Sequence, residues 1–348
     1  MNLFLTVVLC AVFLLRPADC AAGVHDGLSL AAHTALPALF PFFLSGALLV
    51  RSGTADVLSR LAARPLTRLY RLPGEAAAAV LLGWTGGYPV GAATTAELVR
   101  QGRLSPEDGA RVNTFCNCAS PGFCIGLVGL HVCGSARTGA LLYGIHLLAA
   151  ALTGLIIARQ DSAAACPPAS AVHAPHERFA AAFCAAVQQA AATALTVTAF
   201  LTAFSILLRL LNPLFGLLPG GSIAPGLIEL TRGLMLMPSL PLSAGARLTL
   251  CSFLLGFGGL AVHFQIRAIA ARCGLPVIVS LQMFAYRLLH GAIAAALTAG
   301  ICRLSPTALT VFAPNCPPAA VPPVLPAVFA GATILFVIYT GKRAENTV

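Results

Sequence analysis

The stretch GWTGGYPVGA, residues Gly83–Ala92, decides what kind of fold this chain adopts. Four glycines and one proline within ten residues cannot sustain a regular helix, although an apolar run leads into them. Irregular backbone at membrane depth is tolerated only where protein buries it or where it lines a wet cavity. We therefore predict a re-entrant or broken helix over Glu75–Ala93, restarting near Val90 with free N–H groups for an anion. Close packing of helices through small residues is the alternative explanation of the glycines.

The remainder of the sequence is strongly apolar. Hydrophobic residues make up 58% of the 348 residues and charged residues only 9%, whereas about a quarter of the residues in a soluble domain are charged. A helix that spans a bilayer needs about 20 apolar residues. Uncharged runs of about that length or longer occur at Leu28–Val50, Val112–Leu130, Thr138–Ala158, Phe179–Leu208, Leu248–Ile266 and Leu304–Gly341. They do not alternate in hydrophobicity as membrane strands do, so we predict an all-α polytopic membrane protein.

The net charge of +10 comes almost entirely from arginine, with Lys342 as the only lysine. In a membrane protein such residues mark cytoplasmic loops, so we predict the lipid bilayer and not a nucleic acid as the partner. Several of the twelve cysteines lie in apolar runs, where cysteine behaves as a small hydrophobic residue. Because no paired CxxC spacing is present, we predict neither a metal site nor a cofactor.

A linker over residues 159–178 divides the chain into two halves of similar length. The second half repeats the order of segments in the first, and Leu254–Gly259 echoes Leu81–Gly87. Such symmetry predicts two repeats with broken or re-entrant helices around a central site, with chance similarity of Gly/Leu-rich stretches as the alternative. The predicted units are an N-terminal helix (1–27), a first membrane repeat (28–158), the linker (159–178), a second membrane repeat (179–303), and a proline-rich loop with a C-terminal transmembrane helix (304–348).

Two further apolar segments contain interrupting residues. Pro41 is expected to kink or break the helix over Leu28–Val50. In Val112–Leu130, Asn117 and Ser120 are polar groups within an apolar run, and a proline follows them. A buried amide needs a hydrogen-bond partner, which either a ligand or a neighbouring helix can supply.

Ionisable residues inside membrane segments are functional candidates. Arg111 and Arg287 each enter an apolar run, and a guanidinium in a wet, low-dielectric site suits a planar carboxylate. Glu97 and Glu229 each have an arginine three residues further on, so local ion pairing competes with a role at a site. His263 follows the second glycine cluster, and a structural hydrogen bond is the alternative to a role as a proton carrier. We predict a central solute site formed by Gly86, Gly87, Tyr88, Pro89, Gly91, Glu97, Arg111, Asn113, Asn117, Ser120, Glu229, Gly258, Gly259, His263, Gln265 and Arg287.

Several short pieces of the chain, in the same order, resemble the YlbJ-like (SpoVV-like) sporulation integral membrane proteins of the nucleoside-recognition (Gate) domain group. They are Leu39–Phe43, Gly87–Ala92, Phe115–Asn117 with Ser120–Pro121, Gly226–Thr231 and Gly256–Gln265. The resemblance implies a multi-pass secondary carrier of the cell membrane, related in architecture to concentrative nucleoside transporters, in which the two repeats are inverted relative to each other.

For a sporulating host, the same resemblance implies the outer forespore membrane and dipicolinate, a planar aromatic dianion that suits helix N-termini and the two arginines. The chain departs from the family pattern at Cys118, where a second asparagine is expected, and at Gly122, where a bulkier residue is expected. Both departures leave the substrate open.

The motifs that mark common enzymes do not occur in the sequence. There is no HExxH, no GxSxG and no nucleotide-binding P-loop, so we predict no enzyme, and ATP-driven transport would need a separate subunit. The leading hypothesis is a secondary transporter of a small polar or anionic solute, with a proton or sodium as candidate coupling ion and a homo-oligomer as candidate assembly. The alternatives are a non-transporting membrane scaffold or sensor subunit and, less favoured, a membrane-embedded enzyme that uses His131, His263 or His290.

Overall fold

A computed structural model of the chain describes residues 2–52, 57, 60, 64–160, 178–215, 217, 223–272 and 281–304. Nearly all of these residues are helical, and no strand occurs among them. The predicted linker (159–178) and the C-terminal unit (304–348) lie almost wholly outside the described residues. So does part of the segment from Arg51 to Arg71, which is rich in arginine. The predicted all-α class is confirmed for the described part of the chain.

The first half of the chain contains seven α-helices and three π-helical segments in its described part. The α-helices are α1 (Asn2–Leu15), α2 (Pro17–Leu30), α3 (Leu36–Arg51), α4 (Ala76–Gly86), α5 (Val90–Arg100), α6 (Pro106–Cys116) and α7 (Ala136–Gln160). The π-helical segments are Ala31–Ala35, Leu66–Tyr70 and Gly122–Cys133.

The second half continues with six α-helices in its described residues. They are α8 (Phe179–Phe215), α9 (Ala224–Ile228), α10 (Leu230–Leu236), α11 (Ala244–Phe257), α12 (Gly259–Arg272) and α13 (Leu281–Leu304), with a 3₁₀ turn at Met237–Ser239.

Four stretches of the described chain are long and apolar enough to cross a membrane: Ala136–Arg159, Phe179–Phe215, Ala244–Ala271 and Met283–Leu304. A fifth candidate is the pair Thr6–Leu15 and Pro17–Ala35, whose axes are bent by 97°. The multi-pass architecture expected from the composition is therefore present.

The same order of elements occurs twice in the described chain. A long helix (α3 or α8) is followed by a helical hairpin (α4–α5 or α9–α10), then by a broken helix (α6 with Gly122–Cys133, or α11–α12), and then by another long helix (α7 or α13). Each broken helix begins with a serine N-cap: Ser105 accepts a hydrogen bond from Asp108 N (3.0 Å) and Ser243 accepts one from Ala246 N (3.3 Å).

The two glycine clusters that echo each other in the sequence occupy different elements. Gly87 lies at the tip of the first hairpin, whereas Gly258 interrupts the broken helix of the second half. Both have a φ of +88°, which favours glycine. The sequence echo therefore reflects a shared backbone requirement and not equivalent positions in the element order.

Pro41 does not break its helix. Helix α3 continues through Pro41 to Arg51, and the irregularity lies earlier, in the π-helical turn Ala31–Ala35. The Ser45 hydroxyl donates to the carbonyl oxygen of Pro41 at 2.7 Å. That carbonyl is not the one that the ring frees, because Pro41 leaves the Pro37 carbonyl without its N–H partner; membrane helices nevertheless tolerate proline where neighbouring groups compensate.

Two groups of helices dominate the packing. Helices α2 and α3 pack along α8, while α11 packs along α13, which in turn contacts α7. The α11–α13 contact is close enough to exclude side chains, since a Cβ on Gly256 would lie 2.5 Å from the Cα of Gly291. The hairpins and the helix breaks lie between these groups.

The close α11–α13 contact can be tested with Gly256→Ala. We expect the added methyl group to push the helices apart and to lower the free energy of unfolding by about 1–3 kcal/mol. Thermal unfolding in detergent, followed by circular dichroism, measures the change. Gly144→Ala in α7 is the matched control, because a Cβ there meets nothing within 4 Å. Equal melting temperatures for the two variants would contradict this packing.

Candidate functional site

The backbone breaks of the two halves meet in the interior. Tyr88, at the tip of the α4–α5 hairpin, donates from its hydroxyl to the carbonyl oxygen of Leu255 in α11 at 2.5 Å. Arg287 of α13 donates to the same hydroxyl at 2.9 Å. A Cβ on Gly258 would lie 3.1 Å from Nη2 of Arg287 and 3.6 Å from the Tyr88 hydroxyl. The first hairpin thus contacts the second broken helix.

Arg287 links three elements through a fully buried guanidinium. Its Nη1 donates to the carbonyl oxygen of Asn117 at 2.6 Å, just after the end of α6, and its Nε donates to that of Phe257 at 3.4 Å, at the end of α11. The C-terminal ends of helices carry partial negative charge, so these carbonyls favour a cation. Most donors of Arg287 are therefore used within the protein, and contact with a carboxylate stays a prediction.

The restarting helices are capped by side chains of the chain itself. Asn117 accepts at Oδ1 from Ala92 N of α5 (2.8 Å) and donates from Nδ2 to the Asn113 carbonyl (2.9 Å). Glu229 accepts at its two oxygens from the N–H groups of Thr231 (3.0 Å) and Arg232 (2.7 Å) in α10. Several of the N–H groups expected to serve an anion are thus already paired.

A cavity of about 50 Å³, measured as the space open to the centres of water-sized spheres, lies beside these breaks. Four of the predicted site residues line it: Tyr88, Ser120, Glu229 and Gln265. The rest of the lining is largely apolar and comprises Leu30, Thr34, Ala35, Leu39, Ala119, Phe123, Val197, Leu201, Leu230, Thr231 and Val262. The structure therefore brings polar residues from both halves to one cavity.

Gln265 is the lining residue with the least satisfied chemistry. The residue is only 3% exposed, and no hydrogen bond joins its amide to another described residue. A primary amide has two N–H donors and a carbonyl acceptor. Its amide atoms are not among the sealed polar atoms that lack a partner, so they are accessible from the cavity. Its place on the cavity wall is the arrangement expected of a group that binds a polar solute.

Three other predicted charged or polar side chains lie away from this cavity. Glu97 pairs with Arg100 at 2.6 Å and faces a separate cavity of about 10 Å³ between α3, α5 and α8. Arg111 donates to the carbonyl oxygens of Tyr70 and Arg71, each at 3.2 Å, and so holds the end of the π-helical segment Leu66–Tyr70. His263 packs between two phenylalanine rings, at 5.1 and 5.4 Å between centroids.

The remaining predicted residues shape the backbone of the breaks or support Asn117. Asn113 supports it through its carbonyl, and the others form the hairpin tip, its flanks and the gap between α11 and α12: Gly86, Gly87, Pro89, Gly91, Gly258 and Gly259. They surround the cavity residues without lining the cavity themselves.

A histidine pair next to Arg287 was not predicted. The rings of His146 and His290 stack with centroids 4.7 Å apart. Because arginine only donates, His290 accepts from Arg287 at Nδ1 (3.3 Å) and donates from Nε2 to the His146 carbonyl (3.0 Å). His146 accepts at Nε2 from Ala119 N (2.9 Å). The signal for His146 was an isolated histidine within the apolar run Thr138–Ala158.

Removal of the Tyr88 hydroxyl tests the junction between the two halves. We expect Tyr88→Phe to lower the free energy of unfolding by about 1–3 kcal/mol, because a buried Arg287 donor and the Leu255 carbonyl each lose a partner. Thermal unfolding in detergent measures the loss. Tyr70→Phe is the control, since that ring stacks on Phe115 and its hydroxyl makes no hydrogen bond in the described part of the chain. A Tyr88→Phe variant as stable as the control would rule out this junction.

No family model matches the chain. The chain is similar to the sporulation integral membrane protein YlbJ of Bacillus subtilis (strain 168), with 26% identity over 329 residues that cover 84% of this chain and 79% of that protein. Among solved structures, a CNTnw variant in an outward-facing state matches with a TM-score of 0.45 and 16% identity, over 84% of this chain and 86% of the other. The resemblance to YlbJ-like sporulation membrane proteins is thus confirmed over most of the chain.

Proposed function

We propose that the chain is a secondary transporter of the cell membrane, and that its cavity binds a small polar solute between Ser120, Glu229 and Gln265. The observation that supports this most directly is the buried, unpartnered amide of Gln265 on a cavity wall built from both halves. Irregular backbone inside a membrane protein is expected beside such a site, because it needs either protein or a wet cavity around it.

The charge of the cavity limits which solutes it accepts. Glu229 is the only ionisable acid or base among the described residues that line the cavity, apart from the phenol of Tyr88. Two like unit charges about 4 Å apart repel by about 1 kcal/mol in water and by several times more near protein. A dianion would therefore enter this cavity only together with a cation that offsets the Glu229 carboxylate.

We propose dipicolinate as the solute, and we propose that a coupling proton or sodium ion enters with it and offsets the Glu229 carboxylate. The similarity to a sporulation membrane protein supports the choice of this dianion, and the outer forespore membrane would be the location in a sporulating host. The volume of the cavity leaves room for only a few water molecules. Its walls must therefore separate before an aromatic dicarboxylate can enter.

Uptake by proteoliposomes that contain the purified chain tests this function. We expect saturable uptake of labelled dipicolinate that depends on an inward proton or sodium gradient. Gln265→Leu should lower the uptake rate at low substrate concentration about tenfold, because one lost polar contact is worth about 1.4 kcal/mol. Arg267→Gln, on an exposed position of the same helix, should leave uptake unchanged.

Two results would contradict this function. A folded wild-type chain that takes up no dipicolinate under either gradient would exclude the proposed solute. Equal uptake by wild type and Gln265→Leu would exclude the proposed cavity, because the amide is its main unpartnered polar group.

A further inference from the structure

An ion cluster joins the N-terminal helices to the second hairpin. Oδ2 of Asp26, on α2, lies 3.0 Å from Nη2 of Arg209 on α8 and 2.9 Å from Nη2 of Arg232 on α10. The Nε of Arg209 also donates to Asp26 at 3.0 Å. One carboxylate thus contacts two arginines that belong to different parts of the fold.

Asp26 and Arg209 belong to one rigid wall. Helix α2 packs so closely on α8 that side chains on Gly23 and Gly27 would collide with the backbone of Ile206 and Thr202. Close backbone contact of this kind fixes two helices against each other. The Asp26–Arg209 pair therefore lies within a unit that is already held together by its packing.

Arg232 belongs to the opposite wall of the cavity. Its backbone N–H donates to Glu229, which lines the cavity, while its side chain reaches Asp26. The next residues along the wall of Asp26 are Leu30 and Thr34, which line the same cavity from the other side. The Asp26–Arg232 pair therefore connects the two walls that must separate before a solute can enter.

We propose that the Asp26–Arg232 ion pair is a latch that holds α10 against the α2–α8 wall and opens when a solute enters or leaves the cavity. The proposal rests on the proposed function for the identity of the cavity, but the latch itself is a property of the closed structure. Asp26 and Arg232 are positioning residues, because they act on the cavity through α10 and do not line it.

The exposure of the pair suits reversible opening. The side chains of Asp26 and Arg232 are 23% and 39% exposed, so the pair is not enclosed in the packed interior and separates at a lower cost than an enclosed pair would. A fully buried pair would be far more difficult to separate, since each charge would lose its partner without gaining water. Loss of such a partly exposed pair is expected to shift the opening equilibrium by about two- to fivefold.

Hydrogen exchange of the full-length chain in lipid nanodiscs, measured by mass spectrometry, tests the latch. Asp26→Asn and Arg232→Gln should each raise the exchange rate of peptides from α10 about two- to fivefold, with no change in α7. Arg232→Lys keeps the charge and should remain close to wild type. Arg209→Gln is the matched control, because it removes a charge from the same cluster but leaves the contact between the walls.

The outcomes separate a latch from ordinary helix pairing. If Arg209→Gln accelerates exchange in α10 as much as Arg232→Gln, or if neither charge-neutralising variant accelerates it, the latch is excluded. Should Asp26→Asn fail to fold, the comparison of Arg232→Gln with Arg232→Lys decides alone. Exchange reports the opening of α10 and not uptake, so a chain that transports no dipicolinate can still pass or fail this test.

Discussion

Arg287 holds a full positive charge inside the protein, and the arrangement of the surrounding elements follows from the need to stabilise it. A buried ion without partners is unfavourable by several kcal/mol or more. Here the partners are not carboxylates among the described residues but the ends of two helices, a phenol and an imidazole. Helix ends become available in the interior only where helices break. The breaks at Asn117 and Gly258 are therefore part of the charge's environment and not incidental kinks.

The carbonyl ends and the N–H ends of the helices at these breaks have different partners. The carbonyl ends of α6 and α11 face Arg287, whereas the N–H ends of α5 and α10 are capped by Asn117 and Glu229. Most of the strong donors and acceptors of Arg287, Asn117 and Glu229 are thus already hydrogen-bonded to the helix ends at the breaks. What remains for a solute is the weaker, adaptable chemistry of the Gln265 amide and of the Ser120 O–H donor, whose oxygen already accepts from Phe123 N. Neutral hydrogen-bonding groups of this kind discriminate by geometry, which suits the proposed carrier, since a carrier must also release its solute.

Local backbone requirements were readable from the sequence, but distant partners were not. The breaks near Gly87 and Asn117 follow from glycine, proline and isolated polar residues, and these signals are local. Arg111 and Arg287 each have one partner three residues away, Asp108 and His290, but their other partners lie 30 to 199 positions away, so composition and spacing carry no information about those. The break considered at Pro41 does not occur, because membrane helices tolerate proline and α3 continues through it. The Asp26 cluster spans α2, α8 and α10, and the separate residues look like ordinary surface charges in the sequence.

The two hairpins are equivalent in order but not in how firmly they are held, and this difference indicates which one moves. Helices α4 and α5 have 11 residues each, and Ala76–Ala79 are completely buried. Helices α9 and α10 have only 5 and 7 residues, and Met235 and Leu236 remain 45% and 39% exposed. A short element with fewer packed contacts has a smaller free energy of local opening. The first hairpin is also bound through Tyr88 to Arg287, so its displacement would disturb a buried charge, whereas displacement of α10 breaks an ion pair that is partly exposed. In the proposed transporter, displacement of the second hairpin would therefore open the cavity with the smaller free-energy cost.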